Sequence, residues 1–225
     1  MPNNRYGCTF VYFMEKPVII FGASGLGPVA LDIFVQNNVV VYGFLDDDSN
    51  LHQTEIGSIP VLGRTDDDGF LKLIGKKCEA FVAVDEKELR SGLVSLLMDR
   101  RKVMPMNAVH PLATIAPTAH LGHGNMIQIG SVLAIGAEIK NHCIIGANVV
   151  IDYQAEIADY VQVGAGSIIN AGVRIEEGAF IGSGVTVVSG LTIGEGARIG
   201  AGSVVIADVK QGETVFGNPA QIVKG

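Results

Sequence analysis

Residues 139–163 read IKNHCIIGANVVIDYQAEIADYVQV, with an aliphatic side chain at every sixth position: Ile139, Ile145, Ile151, Ile157 and Val163. The period runs outward from this stretch without a break. Toward the N-terminus it passes through Leu133, Ile127 and Leu121 to Ile115; toward the C-terminus it passes through Ile169, Ile175, Ile181, Val187, Ile193 and Ile199 to Val205. A strict six-residue period is the sequence signature of a parallel β-helix. The residue two before each aliphatic is small almost throughout, as at Ala137, Cys143, Ala155, Ser167 and Ala179. The residue after it is often Gly or a short polar group, as at Gly146, Asp152, Gly164 and Gly182. A triangular prism demands this pattern. The aliphatic points inward, the small residue fits the tight corner, and Gly or a short polar residue tolerates the turn backbone. Three hexapeptides make one coil, so the repeat gives a little over five coils, about 25 Å of prism at ~4.8 Å per layer.

Upstream of the repeat, strands and helices alternate. Val18–Phe21 is a short apolar strand that runs into Gly22-Ala23-Ser24-Gly25-Leu26-Gly27, after which Pro28 suits the first turn of a helix. Val39–Leu45 reads as a second strand, ended by Asp46-Asp47-Asp48, with a short strand at Ile59–Leu62, a helical stretch at Phe70–Ile74, a buried strand at Ala80–Val84 and an amphipathic helix over Glu86–Arg101. Alternation of this kind implies a parallel sheet of the nucleotide-binding type. His110-Pro111 marks the change of period. The expected organisation is an extension over residues 1–13, a Rossmann-like α/β domain over 14–109, the β-helix over 110–207 and a tail over 208–225 that contains the compact turn Gly217-Asn218-Pro219-Ala220.

Composition narrows the function. The chain has 225 residues, a net charge of −7 and no basic run of five or more residues, so nucleic acid is not an expected partner. No stretch approaches the ~20 apolar residues of a membrane-spanning helix. Cys8, Cys78 and Cys143 are few, odd in number and widely spaced, which fits a reducing cytoplasm and offers no metal-ligand spacing. No metal is expected.

A GASGLG-containing Rossmann-like half, a GFLDDD strand end and a hexapeptide prism followed by GNPA occur here in that order. This combination resembles the sialic acid O-acetyltransferase family of bacterial sugar acyltransferases, with the nucleotide-linked 4-amino-sugar N-acetyltransferases of bacillosamine and perosamine synthesis as relatives. The resemblance covers residues 17–225. It implies a left-handed β-helix, a homotrimer, acetyl-CoA as acyl donor in the cleft between prisms, and a nucleotide sugar, often UDP-linked, as acceptor. The implied activity is transfer of the acetyl group to an amine or hydroxyl of that sugar in surface-glycan synthesis.

The site residues follow residue by residue. Gly22, Ser24, Gly25 and Leu26 form a turn that lets a phosphate approach backbone at a helix N-terminus, and Asp46 and Asp47 suit hydroxyl or ring N–H groups; the resemblance implies nucleotide-sugar binding for all six. Leu26 stands where relatives often carry His. In the prism, the family's catalytic His and its orienting acid fall at Tyr153 and Gln154, and its second His at Gln162. A phenol, with an ordinary pKa near ~10, is a poor base at neutral pH. Loss of a positioned general base typically costs ~10²–10⁴ in rate. His142 is the remaining histidine weighed for that role, against a plain solvent-facing turn. The resemblance places CoA against Ala171, Gly172, Gly182, Val188 and Gly200, with Arg198 as a diphosphate partner and Asn218 in the covering turn. Two rivals follow from the missing histidines. One is a weakened family member that binds nucleotide sugar or CoA in a regulatory role; the other is an enzyme in which Tyr153 orients the nucleophile or donates to the thioester oxygen.

Overall fold

The computed structural model describes residues 16–223. The expected extension over 1–13 and Cys8 lie outside the described residues.

The first half is a five-stranded sheet. Its strands are β1 (Val18–Phe21), β2 (Val41–Leu45), β3 (Glu55–Ile56), β4 (Ile59–Gly63) and β5 (Glu79–Val82), in the order β3-β4-β2-β1-β5. All pairings are parallel except the β3–β4 hairpin. Strand β1 is buried on both faces, which is why it reads as a continuous apolar run rather than an alternation. Val18 and Ile20 pack toward α1 (Gly27–Gln36) with Phe34 and Phe44. Ile19 and Phe21 pack toward α3 (Lys87–Arg101) with Leu93 and Leu97. The short helix α2 (Asp68–Leu71) starts earlier than the apolar pattern at 70–74 suggests, because the Asp67 side chain caps it by accepting the Gly69 N–H at 2.6 Å.

The second half is the left-handed parallel β-helix. Each hexapeptide contributes a two-residue rung, and rungs pair in register 18 residues apart, as Leu133 with Ile151 and Ile151 with Ile169. Fourteen of the sixteen periodic aliphatics are at most 2% exposed. Ile115 and Leu121 are half-buried, because no complete coil lies beneath the first one.

The three faces of the prism differ in what they turn outward. The neutral face presents Thr114, Val132, Val150, Ile168, Thr186 and Val204. The charged face presents His120, Glu138, Glu156 and Arg174, with a Glu156–Arg174 ion pair at 3.2 Å. The third, or junction, face begins at β6 (Ala108–Val109) and carries the first domain: Ala108 and Met126 are buried in one core with α1 and the sheet. Farther along, this face emerges from under the domain at Gln162, Phe180 and Arg198. At the far end it continues as Thr214–Gly217, which a last strand, Ala220–Ile222, pairs antiparallel.

Candidate functional site

The residues expected to bind nucleotide sugar meet at the C-terminal ends of β1 and β2. Gly22 sits at φ +101°, and a Cβ there would lie 2.8 Å from the Ala83 carbonyl beyond β5. Gly27 is equally constrained: its Cβ would lie 2.5 Å from the Gly22 carbonyl. Only glycine permits this close crossing. Gly25, at φ +52°, has open space around it, so the turn presents backbone to a ligand there. Ser24 is exposed and Leu26 half-buried against the α1 core. Asp46 holds the turn in place: its carboxylate accepts the Ala23 N–H at 2.8 Å and the Asp48 N–H at 2.9 Å. Asp47 accepts from the N–H and hydroxyl of Thr65 at 3.0–3.1 Å. Both carboxylates therefore organise the crevice from within. The crevice lies where connections leave β1 toward opposite sides, β2 on one and β5 on the other, the usual ligand position in an open α/β sheet.

The prism residues divide between edges. Tyr153, Gln154, Ala171, Gly172 and Val188 lie on the edge between the neutral and charged faces. Tyr153 is 50% exposed there, its N–H bonded to Asp152 Oδ1 at 2.7 Å. Gly182 and Gly200 lie on the opposite edge, between the junction and neutral faces. There each backbone is crossed closely by the next turn: a Cβ on Gly182 would sit 2.6 Å from Ala201 N, and one on Gly200 2.3 Å from the Phe216 ring. These two glycines have a packing reason to be glycine whatever they bind. Arg198 projects from the junction face with its guanidinium 4.6 Å from the centre of the Phe180 ring. Asn218 lies in the terminal hairpin turn, before the cis Pro219. One chain thus does not gather these residues into one place.

Non-glycine residues in the left-handed backbone region mark a single stretch of the prism. His142, Asn148, Gln154 and Tyr160 all have φ between +52° and +60°, whereas the other positive-φ prism corners are glycines. Such strain collects at functional sites. His142 and Tyr160 occupy one column, 18 residues apart, otherwise filled by Gly124, Gly178 and Gly196. Their rings stack at 5.0 Å, and the Arg90 guanidinium lies 6.0 Å from the Tyr160 ring. Arg90 is buried and donates to the Val84 and Asp85 carbonyls of the first domain and to the Tyr160 carbonyl of the prism. It pins the segment after β5 to this corner, and burial lowers its pKa.

His142 corrects an expectation. It is not a solvent-facing turn residue: it is 4% exposed, covered by Tyr160. Burial lowers its pKa to about 4, with smaller contributions from Arg90 and His123 in the same direction and from Asp159 against it. A neutral, covered imidazole on the charged–junction edge is remote from Tyr153 on the next edge. Because the folded pKa lies below the ordinary 6.5, the unfolded chain takes up the extra proton first. Stability therefore falls as pH drops from about 6.5 to about 4. Urea midpoints measured across this window are expected to slope for the parent chain and to flatten in His142→Phe; equal slopes assign the acid sensitivity elsewhere.

A cavity of about 480 Å³ opens between the start of α3 and the prism, where the junction face emerges. Asp85, Glu86, Lys87 and Glu88 line one wall; Tyr160, Gln162, Phe180 and Arg198 line the other. No motif in the sequence announces it, since its walls lie some 70 residues or more apart in the chain. The signal available was the column itself, in which His142 and Tyr160 interrupt a file of glycines.

Two family models match the sequence, the PglD N-terminal domain over residues 17–97 and the bacterial transferase hexapeptide over 154–189 and 172–207. A perosamine N-acetyltransferase from Caulobacter crescentus, solved with CoA and GDP-perosamine, superposes with a TM-score of 0.86 at 28% identity, covering 93% of this chain and 97% of that one. The chain belongs to the hexapeptide-repeat sugar acyltransferases. The acetyltransferase domain of PglB from Neisseria gonorrhoeae, solved with acetyl coenzyme A, matches this acyltransferase-family chain at 25% identity and a TM-score of 0.84 over 93% of this chain and all of that one. WeeI from Acinetobacter baumannii matches at 27% identity and 0.82 over the same shares. No curated protein matches the sequence. Among the described residues, no cluster of His, Cys, Asp and Glu could hold a metal ion, and no helix is long and apolar enough to cross a membrane.

Proposed function

We propose that this chain transfers an acetyl group from acetyl-CoA to an amine or hydroxyl of a nucleotide-linked sugar, at sites assembled between three copies. The observation that carries this reading is the division of the prism residues between two edges. Tyr153, Ala171, Gly172 and Val188 lie on one border of the neutral face, Gly182 and Gly200 on the other. When three neutral faces pack around a threefold axis, the first edge of each copy meets the second edge of the next. The two sets then form one cleft, with Gln162 and Arg198 on its flank. The exposed apolar side chains support this packing: Leu112, Ile129, Val132, Ile135, Ile168, Val188 and Ile206 all lie on the neutral face or its borders.

The neighbours' ligands fit this arrangement. The Caulobacter enzyme was solved with CoA and GDP-perosamine, and the Neisseria domain with acetyl coenzyme A. In this chain the turn at Gly22–Leu26 would hold the nucleotide end of the acceptor, with α1 behind it favouring the diphosphate. The later coils would hold the pantetheine through backbone groups. Acetyl-CoA supplies the thioester; the protein orients the nucleophile against it and excludes water. Tyr153 is the edge residue placed to orient that nucleophile. Buried Cys78 and Cys143, the latter with its thiol pushed up to about 12 by burial, suit the reducing cytoplasm. A binding-only relative is the second reading. It is favoured by Tyr153, Gln154 and Gln162, which leave no histidine on the expected cleft.

The test combines assembly and turnover. Free thiol is followed while the protein is mixed with acetyl-CoA and GDP-perosamine or UDP-linked amino sugars. Turnover by a trimer is expected, together with its loss in Ile168→Glu, which sets three carboxylates against one another at the axis and yields monomers by light scattering. Sugar binding without thiol release favours the binding-only reading. A fully active monomeric variant would overturn the shared cleft.

A further inference from the structure

Four asparagines lie in the prism, and three of them spend a side-chain N–H on the protein itself. Asn125 Nδ2 donates to the Lys140 carbonyl at 2.8 Å, Asn141 Nδ2 to Asp159 Oδ1 at 2.9 Å, and Asn170 Nδ2 to the Val187 carbonyl at 2.6 Å. Asn148 is the exception. It is exposed, and its carboxamide makes no hydrogen bond among the described residues; only its backbone N–H is held, by the Ile129 carbonyl at 2.9 Å. It also sits at φ +55° in a column whose other members are Gly130, Gly166, Gly184 and Gly202. Asparagine tolerates that backbone better than most residues, yet glycine suits it best. The column thus gives up its preferred residue once, for a side chain that the fold does not use.

Its position says where that side chain is used. Asn148 lies on the edge between the junction and neutral faces, just before the rung Val150–Ile151, and Tyr153 and Gln154 follow the same rung on the opposite edge. One coil of 18 residues rises ~4.8 Å, so these positions differ in height by less than ~2 Å. Rotation about an axis along the prism leaves height unchanged. Packing of three neutral faces therefore brings Asn148 of one copy level with Tyr153 and Gln154 of the next. One coil lower, the same two edges expose Ile129 and Ile135, which close that end of the cleft with apolar surface.

We propose that Asn148 is a catalytic residue supplied in trans: in the cleft formed with the next copy, its Nδ2–H donates to the carbonyl oxygen of the acetyl thioester. The proposal rests on the acyltransferase reading and the threefold packing above. The reaction forms a bond from the acceptor nitrogen or oxygen to the acetyl carbon and breaks the carbon–sulfur bond, and the acceptor's proton passes to the CoA sulfur. Negative charge gathers on the carbonyl oxygen along the way, and a donor fixed beside it stabilises that charge. A carboxamide takes up no proton, so this role needs none of the histidines that the cleft lacks. The apolar end formed by Ile129 and Ile135 keeps water from competing for the same oxygen.

Asn148→Gly tests the proposal, because it removes the carboxamide while giving the backbone its preferred residue. Thiol release from acetyl-CoA with a nucleotide amino sugar is expected to fall about 10²–10³-fold in kcat. The KM for acetyl-CoA should change little, and the variant should remain a trimer with a Tm equal to or above the parent's. Ala171→Trp fills the expected CoA path on the facing edge, in a column that already holds Tyr153. Co-expressed in equal amounts, the two variants form trimers in which about one cleft in four joins two intact edges, so turnover returns to about a quarter of the parent's. Parent-like turnover by Asn148→Gly, or a loss accompanied by a lower Tm, overturns the proposal and leaves the acyltransferase reading intact. Co-expressed variants that give no more turnover than they give separately overturn the contribution in trans. A parent chain that releases no thiol with any nucleotide amino sugar overturns both readings.

Discussion

The double variant Tyr153→His/Gln154→Glu is expected to release thiol from acetyl-CoA at least about 100-fold faster than the parent chain with the same nucleotide amino sugar. The backbone is already prepared for the exchange. Position 153 is half-exposed on the border of the neutral face, and position 154 already holds a non-glycine residue at φ +52°, so a glutamate enters without new strain. An imidazole titrates near neutrality and a phenol does not. A positioned general base is worth ~10²–10⁴ in rate, and the acid beside it fixes the tautomer. The gain should appear in kcat, with little change in the KM for either substrate, because the groups proposed to bind CoA and the nucleotide are other than Tyr153 and Gln154. An unchanged rate across nucleotide amino sugars would remove this edge from the chemistry. Tyr153→Phe supplies the complementary reading: a fall in the parent's turnover assigns the hydroxyl a part in it.

The second large effect is on stability. Ile175 is fully buried and stacks between Ile157 and Ile193, one coil on either side. Ile175→Ala removes most of a side chain from the centre of a closed stack and should cost about 2–5 kcal/mol. For a chain of this size that corresponds to a fall of roughly 5–20 °C in Tm. Ile115→Ala, the same chemical change in the half-buried first coil, should cost only a small part of that. Differential scanning calorimetry of the pair separates the two. Equal losses would mean that the first coil is closed from below in the assembled protein.

These predictions draw on parts of the molecule that differed in how far the sequence revealed them. The prism was fully legible, because the inward position recurs with a fixed period and its register cannot slip without exposing every aliphatic. The buried strands and glycine turn of the first domain were legible as well, since Gly22 and Gly27 are required by backbone crossings that leave no room for a side chain. The α2 start was misread because a cap, not apolar spacing, set it. The burial of His142 was hidden because it depends on a residue 18 positions away, a distance at which residues become neighbours only once coils are stacked. The same holds for the cavity. Asp85 and Gln162 share it only because Arg90 ties the two domains at the Tyr160 corner. Periodicity reveals what points inward; what points outward is decided by which rungs and loops are brought side by side.

The hairpin at the end of the junction face has a consequence for solubility. A stack of parallel rungs ends in unpaired backbone groups, and such an edge can template the addition of another chain. Here the last rung of the junction face, Thr214–Gly217, is closed off by the antiparallel Ala220–Ile222, and a bridge from Val209 covers Ile193 at the end of the charged face. A reversed strand cannot be extended by a further parallel coil in register. The turn at Asn218-Pro219 therefore acts as a terminator of end-to-end growth, and keeps a structure built like a segment of fibre from becoming one.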